Sequence, residues 1–265
     1  MPFRKALSAK SRAFNKIALA TVTCLLVVTS SIMPTISASA DNTETYVDSS
    51  LGSTWVSEAW KFHTKVTSYY TMSGGSHYFT SSPMPAFVKE EWYGGCDNVA
   101  ADHAQLVLLL AHAASTYNGV QPISFGSYGT AFPEHVRLGY DSPDGCGNNL
   151  WTIVINCHFL SNANRPNWGQ AFTGMHQLLG FATEGVIVGG DLEDLACRLT
   201  GLPNSSGTNL GRFTVWNAYW ITFTAKTAHA NNIPRAIAEE WSVQNDFLNS
   251  YNPYVNVDGF IVYFN

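Results

Sequence analysis

The residues best suited to do chemistry in this chain are a histidine and a cysteine, each placed just after an apolar run. Leu106–Leu110 leads through one alanine to His112, and Trp151–Ile155 leads through one asparagine to Cys157. A cysteine becomes an effective nucleophile when a neighbouring histidine takes its proton. If the two runs are strands that end at the same edge of a sheet, the pattern predicts thiol-based nucleophilic catalysis.

Two strands buried on both faces are needed to position these side chains. Leu106–Leu110 is continuously apolar, which is typical of a strand inside a parallel sheet. The β-branched and aromatic residues of Trp151–Ile155 also favour a strand. Because the carboxyl ends of parallel strands conventionally form binding sites, we expect His112 and Cys157 to lie at such an edge.

The remaining pattern predicts an α/β protein with a mostly parallel sheet and flanking helices. Predicted helices cover Trp168–Leu179, Asp191–Leu199, Thr214–Ala228 and Ile233–Trp241, with a roughly helical pattern over Leu51–Tyr70. Further strands are predicted at Phe181–Thr183 and Tyr254–Phe264. We expect residues 41–95 to form an N-terminal segment packed on an α/β domain that spans residues 96–265.

Residues 1–40 have the layout of a secretory signal peptide. Five basic residues and no acidic one come first, an apolar stretch runs from Ile17 to about Met33, and Ala38-Ser39-Ala40 fits a cleavage site. An uncleaved N-terminal anchor is the alternative, because the stretch is near the lower length limit for a membrane span. We therefore expect a secreted or extracellular protein with no other membrane segment.

The charge beyond residue 40 argues against some classes of partner. That part of the chain has 19 acidic and 9 basic residues, a formal net charge of −10. An acidic protein is poorly suited to bind nucleic acid or an anionic membrane surface. We predict neither partner, and the sequence leaves the oligomeric state open.

The cysteine count offers an alternative to catalysis. Four cysteines follow residue 40, and in an oxidising compartment they could form two disulfides with three possible pairings. No two of them form a CxxC motif, which argues against a thioredoxin-like or zinc-ribbon protein. The four are Cys96, Cys146, Cys157 and Cys197.

The other histidines add one candidate for substrate binding. His176 lies on a predicted helix from which it could reach the edge of the site, although a packing or capping role is the alternative. His158 would point away from Cys157 if the strand continued. The histidines lack metal-ligand spacing such as HExxH, so we predict no metal ion and no other cofactor.

The order of apolar strand, histidine, apolar strand and cysteine resembles the caspase–gingipain–legumain group of cysteine peptidases. A closer resemblance, from Cys96 to Asn245, is to a family of exported proteins known only as a domain of unknown function. Its matching segments are Gly95–Asn98, Ala111–Ala113, Trp151–Cys157, Trp168–Phe172 and, most specifically, Gly174–Phe181. The resemblance implies a caspase-like three-layer sandwich, but the second family has no established activity to transfer.

The resemblance also implies roles for individual residues. Family members typically have Gly-His-Gly where this chain has Ala111-His112-Ala113. In the peptidases the backbone N–H after the histidine helps to hold the oxyanion, and Ala113 keeps that N–H. The expected function is a thiol hydrolase, in particular a cysteine peptidase acting on a peptide or protein, with Cys157 as nucleophile and His112 as base. The alternative is a non-catalytic secreted or cell-surface binding protein on a degenerate scaffold.

Overall fold

The computed structural model describes residues 42–48, 51–73, 76–81, 104–124, 130–136, 138–139, 149–172, 174–248 and 262–264. They belong to one compact unit, Ala40–Asn265. The predicted signal peptide and two of the cysteines, Cys96 and Cys146, lie outside the described residues. No helix in the described part of the chain is long and apolar enough to cross a membrane.

The described chain forms two sheets and four α-helices. The strands are β1 (Asn42–Val47), β2 (Ser76–Ser81), β3 (Leu106–Leu110), β4 (His112–Ala113), β5 (Ile123–Ser124), β6 (Thr130–Ala131), β7 (Trp151–Ile155), β8 (Gln177–Phe181), β9 (Pro234–Ala238) and β10 (Val262–Phe264). The helices are α1 (Ser53–Ser73), α2 (Arg165–Trp168), α3 (Asp191–Thr200) and α4 (Val215–Thr224). Short 3₁₀ turns lie at Pro133–His135, Gly169–Ala171, Thr227–His229 and Trp241–Asn245.

The main sheet has seven strands in the order β10-β9-β8-β7-β3-β1-β2. Strands β2, β1, β3, β7 and β8 are parallel, whereas β9 is antiparallel to β8 and β10 is antiparallel to β9. The predicted α/β class with a mostly parallel sheet is therefore confirmed. Because β2 and the later strands lie on opposite sides of the β1–β3 pair, the topological switch point falls at the carboxyl ends of β1 and β3.

Both faces of the main sheet are buried, as the continuous apolar runs predicted. On one face, Leu108 belongs to a core that also contains Phe62 of α1, Leu195 of α3 and Tyr219 of α4. Leu109, on the other face, belongs to a second core with residues of β5, β6 and α2. The described helices of ten residues or more thus pack on one face only. A small three-stranded sheet, β4–β6, and short turns cover the other face.

The segment 41–95, expected to pack on the α/β domain, supplies part of the sheet itself. Strand β1 lies between β2 and β3, with Val47 opposite Leu110. Helix α1 confirms the roughly helical pattern of Leu51–Tyr70 and packs against α3. Strands β1 and β2 of this segment are therefore integral to the sheet that carries the candidate site.

Two predicted helices are wrong. Within Trp168–Leu179, α2 ends at Trp168 and β8 begins at Gln177. β8 is buried on both faces, and such a continuous apolar strand resembles the buried face of a helix. A Cβ atom at Gly180 would lie 2.5 Å from the Phe159 ring, so this strand position needs glycine.

The second wrong helix is Ile233–Trp241, where β9 pairs with β8 and β10 instead. Alanine-rich segments favour helix, but pairing on both sides of β9 outweighs that local preference. The helices predicted at Asp191–Leu199 and Thr214–Ala228 are confirmed, the second as the shorter α4. Of the predicted C-terminal strand, Val262–Phe264 is described and is β10.

Candidate functional site

His112 and Cys157 lie at neighbouring strand ends on the carboxyl edge of the main sheet. Leu110 pairs with Ile155 in the parallel β3–β7 register, and neighbouring strands run about 4.8 Å apart. Beyond that pair, the Ala111 N–H donates to the Ile155 carbonyl at 3.2 Å. The predicted convergence of the two strands is therefore confirmed.

The two side chains differ in exposure. The His112 side chain is exposed, and Cys157 is half-buried. Among the described residues, no hydrogen bond joins the His112 ring to Cys157 Sγ. Catalytic hydrogen bonds are often long in unliganded enzymes and tighten when substrate binds. The candidate pair is therefore judged by the backbone, which places the two residues at neighbouring strand ends.

His112 and Ala113 together form β4, the first strand of the small sheet. Ala113 is half-buried and lies opposite Ile123 of β5, and the following N–H, that of Ala114, donates to the Pro122 carbonyl at 3.1 Å. The hairpin therefore carries the histidine out of the main sheet and holds it at the rim.

Sequence reasoning missed Asn156, the residue between β7 and Cys157. Its side chain is 3% exposed, and its Nδ2 donates to the His112 carbonyl at 2.6 Å. Its Oδ1 is buried and has no hydrogen-bond partner within the described part of the chain. Asn156 thus links the cysteine strand to the histidine segment and leaves one buried acceptor at the site. The sequence feature that could have identified Asn156 is its position as a polar residue directly after a buried strand.

A second buried asparagine, Asn164, holds the loops of the site together. Its Oδ1 accepts from the Gln121 N–H at 2.7 Å, and its Nδ2 donates to the Gln121 carbonyl at 2.9 Å and to the Phe159 carbonyl at 3.1 Å. Gln121 precedes β5, and Phe159 closely follows Cys157. One amide therefore connects the hairpin that carries His112 to the segment that carries the thiol.

Replacing Asn164 with alanine should lower the free energy of unfolding by about 2–3 kcal/mol, because the part-buried backbone groups of Gln121 and the buried Phe159 carbonyl each lose a hydrogen bond. Urea denaturation at neutral pH measures the change. Asn167→Ala is the matched control, since Asn167 makes one 3.3 Å bond to the Ala163 carbonyl at the surface. We expect less than about 0.5 kcal/mol for this control. Equal losses in the two variants would contradict the role given to Asn164.

An open cavity of about 460 Å³ lies at the same edge of the sheet, and the residue that follows Cys157 is part of its lining. It is lined by His158, Thr183, Glu184, Ala230, Asn231 and Ile233, and we call it the edge pocket. His158 has φ 57°, in the left-handed region that residues other than glycine seldom adopt. The strand therefore does not continue through His158, and its exposed side chain contributes to the pocket lining.

His176 lies away from the other predicted site residues. It precedes β8, not within a helix, and its N–H donates to the Leu150 carbonyl at the amino end of β7. The side chain is 1% exposed, with Nδ1 2.5 Å from Asp246 Oδ2 and its ring edge against Trp151. His176 is a buried packing residue at the opposite edge of the sheet, which was the alternative role considered for it.

The two described cysteines are both free. Cys197 is fully buried on α3, and burial raises the pKa of its thiol to about 11. A thiol with so high a pKa is a poor nucleophile near neutral pH. Across the described residues, no three His, Cys, Asp or Glu side chains are grouped to hold a metal ion.

Comparison with known proteins gives a relative without a described activity. The chain is similar to an uncharacterized protein of Archaeoglobus fulgidus, with 39% identity over 171 residues. The match covers 62% of this chain and 63% of the relative, so the chain spans less than two thirds of the length of that protein. No family model and no solved structure matches the chain.

Proposed function

We propose that this protein is a secreted thiol hydrolase, specifically a cysteine peptidase, built on a caspase-like three-layer scaffold. The observation that carries the proposal is the placement of His112 and Cys157 just beyond the paired ends of β3 and β7. The mostly parallel sheet, with helices on one face and a small sheet on the other, is compatible with that scaffold. The free, half-buried state of Cys157 also supports a reactive thiol.

The chemistry proceeds in two acyl-transfer steps. His112 takes the thiol proton as Cys157 Sγ attacks the scissile carbonyl, and a C–S bond forms. The tetrahedral oxyanion lies toward the Ala113 N–H and collapses with cleavage of the C–N bond, while His112 gives its proton to the departing amine. Water then hydrolyses the thioester, with His112 as base, and the free thiol is restored.

Alkylation of the native protein tests this proposal. Iodoacetamide near pH 8 should modify Cys157 at least tenfold faster than Cys197, because Cys157 is partly accessible whereas Cys197 is buried and its thiol stays protonated. Peptide mass spectrometry locates the modified cysteine, and a peptide library measures residual hydrolysis. We expect hydrolysis to fall in proportion to the fraction of Cys157 that is modified.

The Cys197→Ala variant serves as the control and should keep both the alkylation rate of Cys157 and the hydrolytic activity. Hydrolysis that persists after complete modification of Cys157 would contradict the proposal. Modification of Cys157 only after reduction would show that its sulfur is in a disulfide, and the assignment of Cys157 as the nucleophile would then be wrong.

A non-catalytic binding protein on the same scaffold is the second candidate. The specific observation in its favour is that, among the described residues, the exposed His112 ring makes no hydrogen bond to Cys157 Sγ. A protein whose Cys157 alkylates readily but which hydrolyses no member of the peptide library would support this candidate.

A further inference from the structure

The edge pocket carries an acidic group that has no role in the proposed mechanism. Glu184 contributes an exposed carboxylate, the exposed His158 imidazole is the other ionisable group of the lining, and no lysine or arginine belongs to it. Ala230 and Ile233 add apolar surface, and the Ile233 side chain is 45% exposed. A cavity with an apolar wall and one acidic group suits a ligand with an apolar stem and a cationic end.

The walls of the edge pocket are tied together without a ligand. Thr183 Oγ1 donates to the Asn231 carbonyl at 2.7 Å and accepts from the Ile233 N–H at 3.0 Å. The Thr183 carbonyl accepts from the His158 N–H at 2.7 Å. One threonine therefore fixes the segment after Cys157, the end of β8 and the approach to β9, so the cavity is preorganised.

We propose that the edge pocket receives a lysine or arginine side chain of a peptide, with Glu184 pairing its charge. As a statement about substrate choice, this inference rests on the proposed peptidase function, because the pocket begins at the residue after Cys157. Charge-assisted hydrogen bonds to a carboxylate are stronger than neutral ones. The net negative charge of the chain also attracts cationic peptides.

Fragment binding tests the pocket without any need for hydrolysis. The probes are n-butylguanidinium, which reproduces the end of an arginine side chain, and n-butylurea, its neutral isostere. Both are titrated into the Cys157→Ala protein while the Ile233 methyl resonance is followed by NMR. We expect butylguanidinium to bind about tenfold more tightly than butylurea, and Glu184→Gln in the same background to abolish the difference.

Glu240→Gln is the matched control, because it removes the same charge at the other edge of the sheet, just after the end of β9. The tenfold preference should survive in this variant. Equal binding of the two fragments, or a preference that Glu184→Gln leaves intact, would overturn the inference.

A peptide-library arm separates this inference from the proposed function. Wild type should cleave next to lysine or arginine, and Glu184→Lys should lose that preference while still hydrolysing other peptides. Cleavage with no basic preference would overturn the pocket assignment and leave the peptidase standing. A protein that prefers butylguanidinium but cleaves nothing would overturn the peptidase and leave the cation preference of the pocket established.

Discussion

Alanine at Cys157 or at His112 is expected to lower kcat/KM for a cleavable peptide by about 10³-fold or more, and the double variant should be no worse than either single one. The reason is that a nucleophile and its base act as a unit. Removing either leaves only the binding interactions and the backbone N–H groups of the site. Initial-rate kinetics on purified, folded variants measure the three losses.

Cys197→Ala is the control for removal of a thiol and should retain wild-type kcat/KM, because Cys197 is fully buried on α3 and belongs to neither strand end of the candidate site. Circular dichroism of each variant checks that folding is intact. Losses at His112 and Cys157 that multiply in the double variant would mean that the two residues act independently, contrary to the proposed mechanism.

Replacing Asp191 with alanine is expected to lower the free energy of unfolding by about 3–5 kcal/mol. Asp191 is fully buried at the first residue of α3. Its carboxylate accepts hydrogen bonds from Lys226 Nζ at 2.6 Å, His229 Nε2 at 2.8 Å and the Val188 N–H at 2.6 Å. Without it, the buried His229 imidazole loses its acceptor and the half-buried Lys226 ammonium loses the nearer of its two carboxylates. Urea denaturation at pH 7 measures the loss.

The unfolding measurement is made at neutral pH because Lys226 is then charged and pairs with Asp191. Burial lowers the pKa of Lys226, but the hydrogen bonds and charges of Asp191 and Asp194 together raise it above its ordinary value. A raised lysine pKa contributes stability that is fully present at pH 7 and is lost as the pH rises through the folded-state value. The pairing is therefore intact where the measurement is made.

Asp194→Asn provides the comparison for Asp191→Ala. Asp194 also faces Lys226, at 3.3 Å, but its side chain is 23% exposed. Partly exposed ion pairs contribute little, so we expect less than about 1 kcal/mol for this variant. A loss of similar size at both positions would show that general charge loss, and not the buried carboxylate, accounts for the effect of Asp191→Ala.

The strands that position the candidate site could be predicted because their burial leaves a clear pattern. Leu106–Leu110 and Trp151–Ile155 are apolar throughout, and a short run of such continuity is typical of a strand buried on both faces. Their parallel pairing follows from the α/β alternation. The edge at which His112 and Cys157 meet was therefore readable from the residues alone.

The rest of the site depends on contacts between segments that are distant in the chain. The edge pocket joins residues around His158, Thr183 and Ile233, and no local pattern relates them. The wrong prediction of a helix over Ile233–Trp241 also prevented prediction of the pocket, because β9 forms by pairing with β8 and β10 and this pairing has no local sequence pattern. His176 was misplaced for the same reason: the buried strand that follows it was taken for a helix.

The parallel pairing of β3 with β7 has a consequence for when the proposed activity can arise. Parallel neighbours cannot be joined by a tight turn, so the chain must close a long loop before these two strands meet, and such pairings form slowly. The imidazole and the thiol come from opposite ends of that loop. An unfolded chain would therefore carry both groups without the proposed pair, and completion of the fold would itself bring them together.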